Sequence, residues 1–268
     1  MAAKHTGPVR VPLVAGNWKM HKTAAEARAT ARELISALVA GAPRGIPGEV
    51  LILPPFTTLW AVREQLQSSP LGLALGAQDL HWAASGAHTG EVSAAMLLDA
   101  GCAAVLAGHS ERRHLMGETD EMVARKVHAA LTAGLVPVLC VGETSGQREA
   151  GQTGDVLSTQ VAAALSGIAA HPALGRLVIA YEPVWAIGTG TAAGPADASA
   201  AADLIRSLLP ASAAGMVRVL YGGSVNAANV AEFMLLPGMD GVLVGGASLD
   251  GAGFAQLALT ALAAKLGQ

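Results

Sequence analysis

The stretch Leu177-Val178-Ile179-Ala180-Tyr181-Glu182-Pro183 decides the fold of this chain: an unbroken apolar run, then a carboxylate, then a proline. Apolar residues at consecutive positions, not alternate ones, read as a strand buried on both faces, as in a parallel sheet. Seven further runs share this character: Leu13 to Gly16, Val50 to Leu53, Leu73 to Ala77, Ala103 to Ala107, Val136 to Val141, Val217 to Tyr221 and Gly241 to Val244. Segments with a helical period lie between them. In the first, Ala31, Leu34, Ile35, Leu38 and Val39 share one face, Thr23 and Glu26 make a capping box, and Gly41 is the expected stop. Similar segments run from Asp120 to Ala133, with Gly134 after, and from Ala196 to Leu209, with Pro210 after. Eight strand-helix units in about 250 residues predict an α/β fold, a single-domain eight-stranded parallel (β/α)8 barrel. A doubly wound open sheet would give a similar string.

The residues able to do chemistry separate the two. Asn17 and Lys19 follow the first run, Gln78 the third, His109 and Glu111 the fourth, Glu143 the fifth and Glu182 the sixth; Gly222, Gly223 and Ser224 follow the seventh, and Gly245 and Gly246 the eighth. In a barrel all these carboxyl ends converge on one mouth, whereas an open sheet spreads them along an edge. The first run also lacks the Gly-x-Gly-x-x-Gly turn of a dinucleotide fold. No linker divides the chain, so residues 11–268 are expected to form one catalytic domain behind a short extension, 1–10.

Composition excludes other classes. Of the 268 residues 52% are hydrophobic and 14% charged, yet no apolar run approaches the ~18 to 20 residues of a membrane span. The first residues lack the apolar stretch of a secretory signal, which predicts a cytoplasmic protein with no membrane partner. Cys102 and Cys140 have no paired spacing and no His/Cys neighbours, so neither a disulfide nor a metal site is expected. A net charge of −3, 3% aromatics and no Lys/Arg block give no footprint for nucleic acid. Small molecules and like subunits are the expected partners.

Each candidate has a bland reading beside the chemical one. Glu182, under the apolar and glycine-rich stretch Pro183 to Gly190, can be a base made stronger by desolvation, or a strand-end carboxylate paired with an arginine. His109 stands where Ser110 can cap a helical turn, and the positive end of that turn disfavours a charged imidazole. A neutral ring still donates a hydrogen bond to an oxygen gaining charge, though a lone histidine is more often structural. Lys19 and Asn17 can donate to an oxyanion or phosphate, or Lys19 can simply reach solvent. Gly222-Gly223 and Gly245-Gly246 offer bare backbone to an anion, or are only tight turns.

Together the residues spell a pattern. Gly16-Asn17-Trp18-Lys19-Met20, Gly108-His109-Ser110-Glu111-Arg112-Arg113, Cys140-Val141-Gly142-Glu143, Ala180 to Gly190, Tyr221-Gly222-Gly223-Ser224-Val225 and Val244 to Leu249 resemble, in order and spacing, the signatures of the triosephosphate isomerases. The likeness runs from Val11 to about Leu262. It implies a TIM barrel that interconverts dihydroxyacetone phosphate and D-glyceraldehyde 3-phosphate in glycolysis and gluconeogenesis, without a cofactor. Glu182 would be the base and His109 the neutral electrophile, helped by Lys19 and Asn17, an assignment the family carries and the residues alone do not. Glu111 would orient Lys19, with Cys140 in support. Gly188, Ser224, Gly245 and Gly246 would hold the phosphate, and Pro183, Val184, Trp185, Ala186, Ile187, Gly188, Thr189, Gly190 and Thr191 would form a lid. Gln78 and the segment His88, Thr89, Gly90 and Glu91 resemble the loop through which such chains form homodimers.

Three residues depart from the family's usual pattern: Thr191 in place of Lys, His88 in place of Phe, and Asp79 in place of Asn. They bear on the lid and the dimer, not on proton transfer. Two rival readings remain open on the residues: lyase chemistry through a Schiff base on Lys19, and a barrel kept only for binding. The second predicts loss of Glu182, His109 or Lys19, and all are present.

Overall fold

The computed structural model describes residues 10–187 and 193–267. Strands β1 (Leu13–Asn17), β2 (Glu49–Leu53), β3 (Ala74–Ala77), β4 (Ala104–Ala107), β5 (Val136–Val141), β6 (Val178–Tyr181), β7 (Arg218–Tyr221) and β8 (Gly241–Val244) close into a barrel in chain order. Every pairing is parallel, and β1 completes the ring by pairing with both β2 and β8. Helices follow each strand and form the outer layer, ending with Gly251–Leu266. No helix among the described residues is long and apolar enough to cross a membrane.

The strands sort their side chains by parity. Leu13, Ala15, Leu51, Leu53, Ala104, Leu106, Val138, Cys140, Val178, Ala180, Leu220 and Leu243 form a separate buried cluster, the barrel interior. Their neighbours Val14, Val105, Leu139, Ile179, Tyr181 and Val219 belong to the larger cluster between strands and helices. Because alternate residues on a strand face opposite ways, this assignment fixes where every residue just beyond a strand end must point.

The first helix, Ala24–Gly41, begins with the expected capping box: Thr23 N–H donates to Glu26 Oε2 at 2.7 Å. Its buried face is Ala27, Thr30, Ala31, Leu34 and Leu38. Val39 is on the edge of that face and 37% exposed, so it does not join the core as the period suggested. Gly41 does not stop the helix either; it is the last residue inside it, and Ala42 caps it through a bond to the Leu38 carbonyl. The glycine makes room instead, since a Cβ there would come within 2.3 Å of Leu259 Cδ1 in the last helix. Asp120–Ala133 ends as expected on Gly134, whose φ of 93° is left-handed.

Candidate active site

Parity carries the site residues past the strand ends. On β1 Leu13 and Ala15 face inward, so Asn17 does too; on β6 Val178 and Ala180 are followed by Glu182, and on β7 Leu220 is followed by Gly222 and Ser224. These residues line a cavity of about 230 Å³ with Lys19, His109, Gly223, Gly245 and Gly246, as the sequence predicts. Ile187, expected as part of the lid, also lines it, as do Val225, Asn226 and Leu243, which had not been singled out as site residues.

Glu182 is 2% exposed. Its Oε2 accepts the Ser110 N–H at 2.8 Å, and its Oε1 is 3.2 Å from His109 Nε2. The bland pairing with an arginine is not what the carboxylate makes. Strand neighbours leave it space: a Cβ on Gly142 would lie 1.8 Å from the Glu182 carbonyl oxygen, and one on Gly222 would lie 3.0 Å from its Cγ. Cys140, buried beside it, has its thiol pushed well up by burial and then by the Glu182 carboxylate, so it stays protonated.

His109 leaves the strand parity because Gly108 turns the chain at a φ of 72°, a conformation that favours glycine. Its Nδ1 accepts the Glu111 N–H at 3.2 Å. A ring nitrogen that accepts carries no proton, so the hydrogen-bond pattern assigns the proton of this imidazole to Nε2, which faces Glu182 and the cavity. The short turn Ser110–Leu115 thus fixes a neutral tautomer with its donor turned inward.

Lys19 has a φ of 52°, unusual for a residue with a side chain. Three bonds hold it there: its N–H to Asn17 Oδ1 at 3.0 Å, its carbonyl from Gln78 Nε2 at 2.9 Å, and its Nζ to Glu111 Oε1 at 2.6 Å. Gln78, grouped by resemblance with the loop that follows it, here also binds the Leu53 carbonyl at 2.8 Å and braces the Lys19 turn. A Cβ on Gly245 would lie 3.4 Å from Lys19 Cε, which sets the close approach of the eighth strand's end.

Glu143 does not reach the mouth. Parity turns it outward with Val141, where it is fully buried and its Oε1 accepts Trp185 Nε1 at 2.8 Å and the Tyr181 hydroxyl at 3.1 Å. Burial, and then the Glu143 carboxylate, push the Tyr181 phenol up, which keeps it a donor. The chain from Pro183 to Ile187 is held further by Ser224 Oγ, which donates to the Ala186 carbonyl at 2.5 Å. On the far side Ala193 N–H donates to the Tyr221 hydroxyl at 3.2 Å. Gly188, Thr189, Gly190 and Thr191 lie outside the described residues.

His88, Thr89, Gly90 and Glu91 are exposed on a loop away from the cavity. His88 packs on His81 with ring centroids 4.1 Å apart, and His81 stacks on Trp82 at 4.3 Å. Below that loop is a buried ionic cluster that sequence reasoning missed. Lys126 Nζ bonds Asp79 at 2.6 Å and Glu118, while Arg112 bonds Glu118 and reaches Asp79 at 2.9 Å. A signal existed: Lys126 falls in the apolar stripe Val123, Val127, Ala130 and Leu131, where a lysine needs a buried partner.

Comparison with known proteins agrees with this architecture. The family described as Triosephosphate isomerase matches residues 12–261. A triosephosphate isomerase of Nitratidesulfovibrio vulgaris is 51% identical over 250 residues, covering 92% of this chain and 98% of the relative. One from Roseiflexus castenholzii is 49% identical over 253 residues (93% and 97%), and one from Symbiobacterium thermophilum 48% over 264 (96% and 99%). With a closed eight-stranded barrel, and with likeness of this depth over nearly its whole length, the chain belongs to the triosephosphate isomerase family.

Proposed function

We propose that this chain is a cytoplasmic isomerase that interconverts dihydroxyacetone phosphate and D-glyceraldehyde 3-phosphate through an enediol(ate), serving glycolysis and gluconeogenesis. The observation that carries the reading is the facing of Glu182 Oε1 and His109 Nε2 at 3.2 Å in one cavity with Lys19. A substrate inserted between them meets a base on one side and donors on the other. Glu182 takes the proton from C1, and the electron pair forms the C1–C2 double bond while the C2 carbonyl oxygen becomes an oxyanion. His109 Nε2–H and the Lys19 ammonium stabilise that oxygen, with Asn17 beside them; one preorganised donor of this kind contributes about 3 kcal/mol. Return of the proton to C2, with transfer of the C1 hydroxyl proton to the C2 oxygen, gives the aldehyde. Ser224, Gly245 and Gly246 are the phosphate-binding residues in this reading, and Pro183 to Ile187 the leading part of a lid that excludes water.

A dehydrogenase-coupled assay tests this with either triose phosphate supplied alone. Turnover in both directions is the expected result, and no turnover in either would end the proposal. Borohydride in the presence of the ketose phosphate is expected to leave Lys19 unmodified, because its Nζ is engaged by Glu111 Oε1 at 2.6 Å; labelling of Lys19 would favour lyase chemistry instead.

The same reading includes a homodimer. Met20 is 94% exposed, and Trp60, Met96 and Leu98 are exposed apolar side chains. Arg63 packs on Trp60 and donates to the Asp99 carbonyl, which brings Trp60 near the end of Ala94–Asp99, the helix that carries Met96 and Leu98. A partner surface would cover exposed apolar side chains of this kind. In the adjacent loop His88 packs on His81, whose Nδ1 accepts the Ala83 N–H at 3.0 Å, and Arg125 lies over Trp82. Sedimentation is expected to show twice the chain mass. A mass equal to one chain at every protein concentration would count against this.

A further inference from the structure

The amino ends of the strands, opposite the catalytic mouth, enclose a hollow of about 590 Å³, within the range of roughly 300 to 1,000 Å³ typical of small-molecule sites. Arg10, Arg176 and Arg218 line it against a single carboxylate, Glu49. In a chain of net charge −3 this end is locally positive. The space exists because Gly72, Ala74, Ala103 and Gly215 stand where larger side chains would plug the barrel. Parity brings two of the charges to the axis: Arg218 and Glu49 come two residues before Leu220 and Leu51, both of the barrel interior. There Arg218 Nη1 donates to Glu49 Oε2 at 2.6 Å. Arg10 Nε donates to Asp240 Oδ1 at 2.7 Å, but Arg206 Nη2 takes the other oxygen of that carboxylate, so one negative charge serves two guanidinium groups. Burial pushes the nearby Lys265 ammonium down against the pull of Asp240, and Arg10 and Arg206 add to the push. Arg176, at the end of the exposed turn Leu174–Arg176, makes no ion pair among the described residues.

We propose that this hollow is a second anion site, separate from the catalytic cavity, for a compact phosphate-bearing molecule of two or more negative charges. Its cations are arginines, whose planar forks of donors match phosphate oxygens in a way that a lysine does not. They arrive from three parts of the chain, ahead of β1, ahead of β6 and within β7. A phosphoryl group accepts from several directions at once, whereas a carboxylate accepts in one plane. Three positive groups against Glu49 leave an excess that a single negative charge does not balance. Because Glu182 and Lys19 lie at the other end of the strands, a ligand bound here does not compete with one bound at the mouth.

The test titrates pyrophosphate into the full chain by calorimetry, comparing wild type with Arg176→Gln and Arg176→Glu and following activity and melting in parallel. Wild type is expected to bind one equivalent that leaves turnover unaffected, beside any that enters the mouth and competes with triose phosphate. In Arg176→Gln that equivalent should bind about tenfold more weakly, the factor carried by one charge-assisted hydrogen bond, and in Arg176→Glu it should vanish. Both kcat/KM and the inhibition of turnover by pyrophosphate should stay within about twofold of wild type, with melting little changed, because the side chain is exposed and holds no ion pair among the described residues. Equal binding by all three proteins, or binding that is wholly competitive with triose phosphate, would overturn the proposal. So would a melting temperature lowered in both variants, which would make Arg176 a structural residue. The calorimetric difference needs no turnover, so it stands or falls apart from the isomerase reading.

Discussion

Glu182→Gln is expected to lower kcat by about 10² to 10⁴, the loss that follows removal of a positioned general base. The substitution keeps shape and burial but removes the only buried carboxylate that lines the cavity among the described residues. A glutamine oxygen can still accept one of the two donors that converge on this side chain, the Ser110 N–H or His109 Nε2–H, but no amide can take a proton from carbon. KM should change far less than kcat, because the residue lies opposite the donors and is not among the groups that hold phosphate. Circular dichroism and the coupled assay, run on the same preparation, separate lost chemistry from lost fold. Rates equal to the wild type would remove Glu182 from the mechanism.

Lys126→Met has the largest expected effect on stability, a loss of about 3 to 5 kcal/mol at pH 7, typical of breaking a buried ionic group on one side. At roughly 2 to 4 °C per kcal/mol for a chain of this size, the melting temperature should fall by about 6 to 20 °C. The side chain is 3% exposed and bridges two carboxylates. Burial pushes the Asp79 carboxyl above its ordinary value, and Lys126 only partly offsets it. Burial acts the same way on Glu118, but there the bonds from Lys126 and Arg112 win and hold it below the ordinary range. The pH signs follow. Glu118 contributes stability that is complete above the unfolded carboxylate value of about 4.3 and lost as pH falls through its depressed value. Asp79 behaves oppositely, stabilising when protonated at low pH and losing that contribution as pH rises through its raised value. Removal of the cation should therefore cost less near pH 4.5, where Asp79 is more protonated, than at pH 7. Thermal melts at both pH values and one protein concentration check this. A loss under about 1 kcal/mol, below the range for a buried pair, or one independent of pH, would show that the cluster is not what holds this region together.

Much of this was legible in the chain. The eight runs predicted each strand to within a residue at most ends, because strands buried on both faces leave no polar position to blur them. The mouth followed from Asn17, Lys19, His109 and Glu182 standing just past those runs. What failed did so for reasons local sequence does not hold. Glu143 was expected at the mouth because it follows β5, but the strand's parity turns it outward to Trp185 and Tyr181. Gly41 resembled a helix stop, yet its reason lies in Leu259, far along the chain. Asp79, Arg112, Glu118 and Lys126 come from separate segments, and only tertiary packing makes them one cluster. Asp79 was recognised as a departure in the sequence, but its partner was not visible there.

The alternation that carries Glu182 inward has a bearing on how such a chain can change. A side chain that owes its direction to counting from the strand tolerates replacement of its neighbours far better than a change in their number. One residue added within β6 would rotate Glu182 away from the axis and into the helical layer, leaving every apolar residue of the strand chemically unaltered but facing the wrong way. The loops that begin beyond these positions carry no such constraint. Drift in length is therefore open to the rim of this barrel and closed to its staves.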